Sequence, residues 1–200
     1  MVLALTACVA VAGEPGTFVG RVAVELVEDI EHDHRLRLLE DFGYRDADGK
    51  LWLARKGGIV DGLHRPGERP SWARLVYAGR LRKAAVVHDY FVAEKAQPWL
   101  DVHRMYHGAT RAEGASAPEA KIEYLLTYAS GWRWEPRGSS CYGSCHAGAT
   151  MLAWKPQLDV DTLRPLVDWI WADAPGLEEI ERRADGLISK PGPHLFSQGF

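Results

Sequence analysis

Apolar and polar residues alternate near the start of the chain. In the segment 18–26, apolar Val22, Val24 and Leu26 are separated by smaller or polar neighbours. A period of two predicts a half-buried strand. Three short apolar and aromatic runs follow, and the turn-forming residues 46–49 separate the last two. This arrangement predicts a small antiparallel β-meander. The three runs are 36–39, 42–44 and 51–54.

The spacing of apolar residues lengthens to three or four beyond residue 81, which predicts helices. The first predicted helix covers residues 82–93 and carries His88 on its apolar face, with Asp89 beside that face. Between the third and fourth predicted helices, the segment 135–148 is rich in Gly, Ser and Cys and is predicted to be a loop. The other predicted helices are 99–113, 118–130, 160–172 and 177–184.

These elements predict an α+β fold. A small N-terminal antiparallel β-meander packs against a block of three helices, and a C-terminal loop and helical extension follow. We expect an N-terminal segment over residues 1–13, a main domain over residues 18–134 and the extension over residues 135–200.

Composition narrows the class of protein. The 200 residues are 46% hydrophobic and 26% charged, which is typical of a globular protein rather than a disordered or fibrous one. The formal charge of -3 and the absence of a basic run give no reason to expect nucleic acid as a partner. Gly57-Gly58 lacks the spacing of a phosphate-binding loop, and we expect no cofactor.

The first cysteine lies in a short apolar segment. Residues 1–12 are uncharged but shorter than the roughly 20 residues that a membrane-spanning helix needs. Leu5-Thr6-Ala7-Cys8 resembles a bacterial lipobox, in which the cysteine is lipidated and becomes the new amino terminus. Only seven residues precede Cys8, fewer than a full signal peptide requires, so we expect a truncated signal. The alternative is that Cys8 is a buried thiol in a short strand.

Cys141 and Cys145 are separated by three residues in the predicted loop. In an exported protein a disulfide between them would persist, and this is the pairing we expect. A zinc site that uses both cysteines and His146 is the alternative, although no second close Cys/His pair supplies a fourth ligand. A nucleophilic Cys145–His146 pair is weaker still, because nothing nearby in the sequence orients the imidazole.

Four segments in a fixed order resemble one known family, the domain of unknown function 1353. They are Leu38-Leu39-Glu40-Asp41-Phe42-Gly43-Tyr44, Val60-Asp61-Gly62, Arg82-Lys83-Ala84-Ala85-Val86-Val87-His88-Asp89-Tyr90 and Trp99-Leu100-Asp101-Val102-His103-Arg104-Met105-Tyr106. The likeness covers about Phe18 to Trp134. The family occurs in phage genomes and bacterial proteins, including apparent lipoproteins, so the resemblance implies a context rather than a reaction.

The family pattern, carried onto this sequence, marks Asp61, His88, Asp89 and Asp101 as candidate catalytic residues. A carboxylate beside an imidazole fixes its tautomer and raises its basicity, as in enzymes where histidine activates water. Asp61 or Asp101 is expected to orient His88, because neighbours on a helix do not face each other and Asp89 is therefore a poor partner. The alternative is that His88 is a core histidine whose hydrogen bonds tie the sheet to the helices.

Other chemistries receive less support. His64 and His88-Asp89 follow the ligand order of metal-dependent His-Asp phosphohydrolases, but His64 falls in a Pro/Gly-rich segment instead of a helix. His103 and His107 are four residues apart and form a second candidate cation clamp, although a third ligand is missing. We therefore predict no metal site. No serine lies in a Gly-x-Ser-x-Gly elbow, so no nucleophile is nominated.

The sequence thus predicts an exported protein of the cell envelope or periplasm, anchored to the membrane by a lipid on Cys8. Its cleft around the Asp/His residues is a candidate hydrolytic site for cell-wall material such as peptidoglycan. The alternative is a non-catalytic envelope or phage-derived interaction module, in which the same residues form a buried structural tie.

Overall fold

The computed structural model describes residues 14–27, 35–60, 82–136 and 151–190. Six residues that the sequence analysis singled out lie outside these ranges: Cys8, Asp61, His64, Cys141, Cys145 and His146.

The described residues form eight strands and five helices. The strands are β1 (Thr17–Val19), β2 (Val24–Val27), β3 (Arg35–Leu38), β4 (Phe42–Arg45), β5 (Leu51–Ala54), β6 (Ile59–Val60), β7 (Arg133–Pro136) and β8 (Met151–Trp154). The helices are α1 (Arg82–Glu94), α2 (Trp99–Ala112), α3 (Ala117–Ser130), α4 (Arg164–Asp173) and α5 (Leu177–Asp185).

This architecture confirms the predicted α+β class, and the N-terminal strands are antiparallel as expected. They form two three-stranded sheets, β1-β4-β5 and β2-β3-β6, rather than a single meander. The strand predicted over residues 18–26 is interrupted after Val19. Gly20 adopts φ +84°, and a Cβ atom there would lie 2.9 Å from the carbonyl oxygen of Asp41. This left-handed residue ends β1, and the chain then enters the second sheet as β2.

The predicted block of three helices is confirmed. Helix α2 packs between α1 and α3, and α1 lies against strands β4, β5 and β6. Helix α3 begins with a capping box, in which the Ser116 hydroxyl accepts from the Glu119 N–H and the Glu119 carboxylate accepts from the Ser116 N–H. Among the described residues, no helix is both long enough and apolar enough to cross a membrane.

A carboxylate from the end of α2 caps the start of α1. The two oxygens of Glu113 accept hydrogen bonds from the backbone N–H groups of Lys83 and Ala84, each at 3.0 Å. The first N–H groups of a helix have no partner within the helix, and a negative charge there also interacts favourably with the helix dipole. Glu113 therefore fixes α1 against α2, and with it the position of His88.

Two strands that the sequence did not predict, β7 and β8, lie at either end of the predicted loop, of which residues 137–148 are outside the described ranges. Strand β7 pairs antiparallel with β8, with Trp134 opposite Ala153 and Pro136 opposite Met151. Trp134 and Ala153 are buried in the same core as the N-terminal sheets and α1 and α2. The hairpin is therefore part of the main core, although its two strands are separated by fourteen residues of sequence.

Helices α4 and α5, predicted as an extension, cover the outer face of α3. Ile122 and Leu125 of α3 share a second apolar core with Ile170 of α4 and Ile180 of α5, and all four are fully buried. Polar contacts reinforce this packing, since Arg104 of α2 binds both carboxylate oxygens of Glu181, at 2.8 and 2.9 Å. Residues after 134 thus complete the hydrophobic core of the three-helix block.

We expect Ile180→Ala to reduce the free energy of unfolding by about 2–5 kcal/mol, because it removes a fully buried side chain and leaves a cavity. Urea unfolding measures this change. Leu187→Ala is the control: its side chain is 42% exposed, and the expected loss is within about 0.5 kcal/mol. Equal, small effects of both substitutions would show that the C-terminal helices do not belong to the core.

Candidate functional site

His88 lies on the inner face of α1 and is only 5% exposed. The four residues before it, 84–87, are buried as well, so this part of α1 is enclosed on all its faces rather than along one stripe. Ordinary apolar packing explains why this stretch is helical and why its histidine faces inward. The first predicted site residue is therefore part of the protein interior.

The partner of His88 among the described residues is another histidine. Nε2 of His88 lies 3.0 Å from Nδ1 of His103, which is on α2 and has no exposed surface. Nε2 of His103 lies 3.1 Å from the carbonyl oxygen of Trp132, the residue before β7. One chain of hydrogen bonds thus joins α1, α2 and the start of the β7–β8 hairpin. We call His88 and His103 the histidine pair.

Aromatic side chains surround the histidine pair. The His88 ring lies 4.7 Å from the Tyr106 ring, and the His103 ring lies 5.6 Å from Trp99 and 6.4 Å from Trp134. Burial in this apolar setting lowers the pKa of His103 well below 6.5, and the neighbouring His88 lowers it further. His103 is therefore neutral at physiological pH.

One nitrogen of the histidine pair is unsatisfied. Nδ1 of His88 is buried and makes no hydrogen bond to any part of the chain that the structure describes. It lies 3.6 Å from Oδ1 of Asp89, whose side chain is 14% exposed. The two side chains are thus near each other without a hydrogen bond, and the expectation that Asp89 is a poor partner of His88 stays a prediction. Buried polar atoms without partners are rare in folded proteins and often mark function.

Asp101 lies apart from the histidine pair. It is exposed in the first turn of α2, and it precedes buried His103 by two residues, which places the two side chains on different faces of the helix. Asp101 lines a shallow cavity of about 300 Å³ with Asp48, Lys50 and Met105. The structure thus brings His88 and Asp89 together and leaves Asp101 at another surface, while Asp61 lies outside the described residues.

The described residues provide no metal centre. No three His, Cys, Asp or Glu side chains in ranges 14–27, 35–60, 82–136 and 151–190 are grouped closely enough to hold an ion. The cation clamp considered for His103 and His107 does not form, because both nitrogens of His103 are already hydrogen-bonded. His107 instead packs against the Tyr124 ring at 6.1 Å, with its Nε2 atom buried.

From the sequence, His103 was considered only as a cation ligand, and its contact with His88 was missed. Its position between the apolar residues Val102 and Tyr106, both buried, could have indicated an inward-facing histidine. The sequence cannot show which polar group such a histidine meets, because its partners come from residues 15 positions before it and 29 positions after it.

A family model described as "Protein of unknown function (DUF1353)" matches residues 36–127. The matched segment includes β3 to β6, α1, α2 and most of α3, and therefore both members of the histidine pair, whereas Trp132 lies beyond it. This result confirms the resemblance that the four sequence segments suggested.

Two curated proteins of Sinorhizobium fredii are similar to this chain. The uncharacterised protein y4iH is 32% identical over 107 residues, which are 53% of this chain and 45% of that protein. The uncharacterised protein y4jT is 32% identical over 126 residues, which are 61% of this chain and 37% of that protein. The chain thus spans less than half the length of each relative, and neither name states an activity. No solved structure gives a significant match.

We expect His107 to make stability depend on pH. Burial lowers the pKa of His107 from 6.5 to about 4, and the positive charges of Lys121 and Arg111 contribute less to this shift. Between pH 6.5 and pH 4, His107 therefore binds a proton in the unfolded chain but not in the folded protein. The free energy of unfolding is highest above pH 6.5 as far as His107 determines it, and it decreases as the pH falls towards 4.

Urea unfolding at pH 7 and pH 5 tests this expectation with His107→Leu, which cannot be protonated. The wild type should lose more unfolding free energy between the two pH values than the variant does. Identical losses in both proteins would contradict the assignment of this pH dependence to His107.

Proposed function

Because the chain carries the domain of the DUF1353 family over residues 36–127, whose description names no activity, we propose a function from the chemistry of its site. We propose that the protein is a hydrolase in which His88 is the general base. The unpaired Nδ1 of His88 beside the Asp89 carboxylate carries this proposal. Nε2 of His107 and Nε of Arg133 are also buried without a hydrogen bond in the described structure, so the neighbouring Asp89 carboxylate is what sets Nδ1 of His88 apart.

In the proposed reaction, Nδ1 of His88 accepts a proton from a water molecule as the water oxygen attacks the scissile bond. The imidazolium then returns this proton to the leaving group, so the protein ends unchanged. The Asp89 carboxylate, 3.6 Å from Nδ1, stabilises the positive charge that His88 carries between the two steps. In this proposal Asp89 acts through His88.

Two further carboxylates from the sequence prediction have different places in this proposal. Asp61 follows Val60 directly in the sequence, and β6, which Val60 ends, packs against α1, the helix of His88. Asp61 itself lies outside the described residues, and its expected role, to orient His88, stays a prediction. Asp101 lines the separate cavity beside Lys50 and takes no part in the proton transfer.

The proposed setting is the cell envelope. The lipobox-like segment that ends at Cys8 supports export and a lipid anchor in the membrane, and an oxidising compartment would favour a disulfide between Cys141 and Cys145. The resemblance to phage and bacterial envelope proteins supports cell-wall material, such as peptidoglycan, as the substrate. This part of the proposal rests on likeness of family and not on the geometry of the site.

A specific observation also favours a second function, a non-catalytic envelope or phage-derived module. The side chain of His88 is only 7% exposed, and His103 is fully buried, so both rings are held inside the domain. In this alternative the histidine pair joins α1, α2 and the β7–β8 hairpin, and another surface contacts the partner.

His88→Gln separates the two functions. The glutamine amide can still donate a hydrogen bond to Nδ1 of His103, but it is not a base. The hydrolase proposal predicts that turnover of purified peptidoglycan falls by about 10²–10⁴-fold, while the melting temperature stays close to that of the wild type. His88→Ala should lose both the turnover and the hydrogen bond.

His107→Leu is the matched control, since it removes another largely buried histidine without touching the histidine pair, and its turnover should equal that of the wild type. No turnover by the wild-type protein, or full turnover by His88→Gln, would exclude His88 as a general base. The structural alternative predicts that the wild-type protein has no turnover. It also predicts a large drop in melting temperature for His88→Ala but not for His88→Gln.

Export is tested by expressing the full chain behind a complete lipoprotein signal sequence in a bacterium fed an alkynyl fatty acid. We expect the wild type to be labelled and Cys8→Ser to remain unlabelled, because the thiol of Cys8 is the proposed acceptor of the lipid. A thiol reagent added before reduction should modify neither Cys141 nor Cys145. Equal lipid labelling of both proteins, or free reaction of the two cysteines, would contradict the proposed anchor or the proposed disulfide respectively.

A further inference from the structure

We infer that His103 is a positioning residue that holds His88 in one tautomer, with its proton on Nε2 and its lone pair on Nδ1. Its relevance to catalysis rests on the proposed function, in which Nδ1 of His88 accepts the proton. The assignment of the tautomer itself rests only on the order of donors and acceptors along the histidine pair.

The backbone carbonyl of Trp132 determines the direction of the hydrogen bonds. A carbonyl oxygen can only accept, so Nε2 of His103, 3.1 Å away, must carry a proton. His103 is fully buried among aromatic rings, which disfavours its charged form. A neutral imidazole has one protonated nitrogen, so Nδ1 of His103 is an acceptor.

The same reasoning fixes His88. Its Nε2 atom lies 3.0 Å from the accepting Nδ1 of His103 and must therefore donate. In neutral His88 this leaves the lone pair on Nδ1, the buried atom near Asp89. Without His103, a proton on Nδ1 would be favoured instead, because it would point towards the Asp89 carboxylate. His103 thus keeps Nδ1 open to accept a proton.

Gly131 allows this arrangement at the end of α3. A Cβ atom at Gly131 would lie 2.3 Å from the carbonyl oxygen of Thr127 and 3.1 Å from Nε2 of His103. The first distance is far shorter than a real contact, so a larger residue would displace the backbone that presents the Trp132 carbonyl. The backbone carbonyl that orients the histidine pair therefore depends on close approach by a residue without a side chain.

Nitrogen NMR of the full chain, labelled with ¹⁵N in its histidines, tests the inference at neutral pH. In the wild type we expect a protonated-type shift for Nε2 of His88 and an unprotonated-type shift for its Nδ1. We also expect a scalar coupling across the hydrogen bond between Nε2 of His88 and Nδ1 of His103, with the proton on His88. A proton found on Nδ1 of His88, or on Nδ1 of His103, would overturn the inference.

Two substitutions of His103 sharpen the test. His103→Gln retains a donor for the Trp132 carbonyl and an acceptor for His88, so His88 should keep its wild-type tautomer. His103→Phe retains the ring volume but neither nitrogen, and the proton of His88 should move towards Nδ1. An unchanged tautomer in His103→Phe would overturn the inference, and if this variant does not fold, the wild-type coupling remains decisive.

These outcomes are independent of the hydrolase proposal. The tautomer is measured without substrate, so absence of peptidoglycan turnover would reject the proposed function and leave the positioning role of His103 intact. Conversely, a wrong tautomer with turnover that depends on His88 would reject the positioning role alone.

Discussion

The hydrogen bonds of one buried imidazole connect the parts of this protein that the sequence keeps apart. His103 has no exposed surface, and its two ring nitrogens lie 3.0 Å from His88 and 3.1 Å from the Trp132 carbonyl. Each of these contacts comes from a different segment, α1 and the start of β7. Because a buried polar atom must be paired, the position of the hairpin and the position of α1 are coupled through this ring. Loss of either contact would leave a donor or an acceptor without a partner in an aromatic environment.

The histidine pair has a hydrogen-bond partner at one end, and at the other end one buried nitrogen has none in the described structure. At the inner end a backbone carbonyl fixes the direction of the hydrogen bonds, and a carbonyl cannot change its role by gaining or losing a proton. At the outer end Nδ1 of His88 faces Asp89 at 3.6 Å without a hydrogen bond among the described residues. A nitrogen with a free lone pair is what a general base requires, and this is the role proposed for Nδ1. This asymmetry is the basis of the hydrolase proposal, whereas the burial of both rings is what the structural alternative predicts.

The helices were predictable from apolar residues at helical spacing and from stop signals such as Gly114, and the bounds of α1, α2 and α3 agree with the predicted bounds within about two residues. The division of the strands into two sheets was not predictable, because it depends on the left-handed conformation of Gly20. The β7–β8 hairpin was also missed, because its strands are distant in sequence and are joined by a segment rich in Gly and Ser. For the site, the family resemblance marked His88 and Asp89. It could not identify His103 as the partner of His88, because the period of a helix shows which side faces inward and not which polar atom it meets.

The coupling between the two histidines is the central claim, and a double-mutant cycle measures it most directly. The free energy of unfolding would be determined by urea for the wild type, His88→Ala, His103→Ala and the double variant. The account predicts that the effects of the single substitutions are not additive, with an interaction energy of about 0.5–3 kcal/mol, as for residues that share a hydrogen bond. Additive effects, within about 0.3–0.5 kcal/mol, would show that the histidines act independently and would contradict the account.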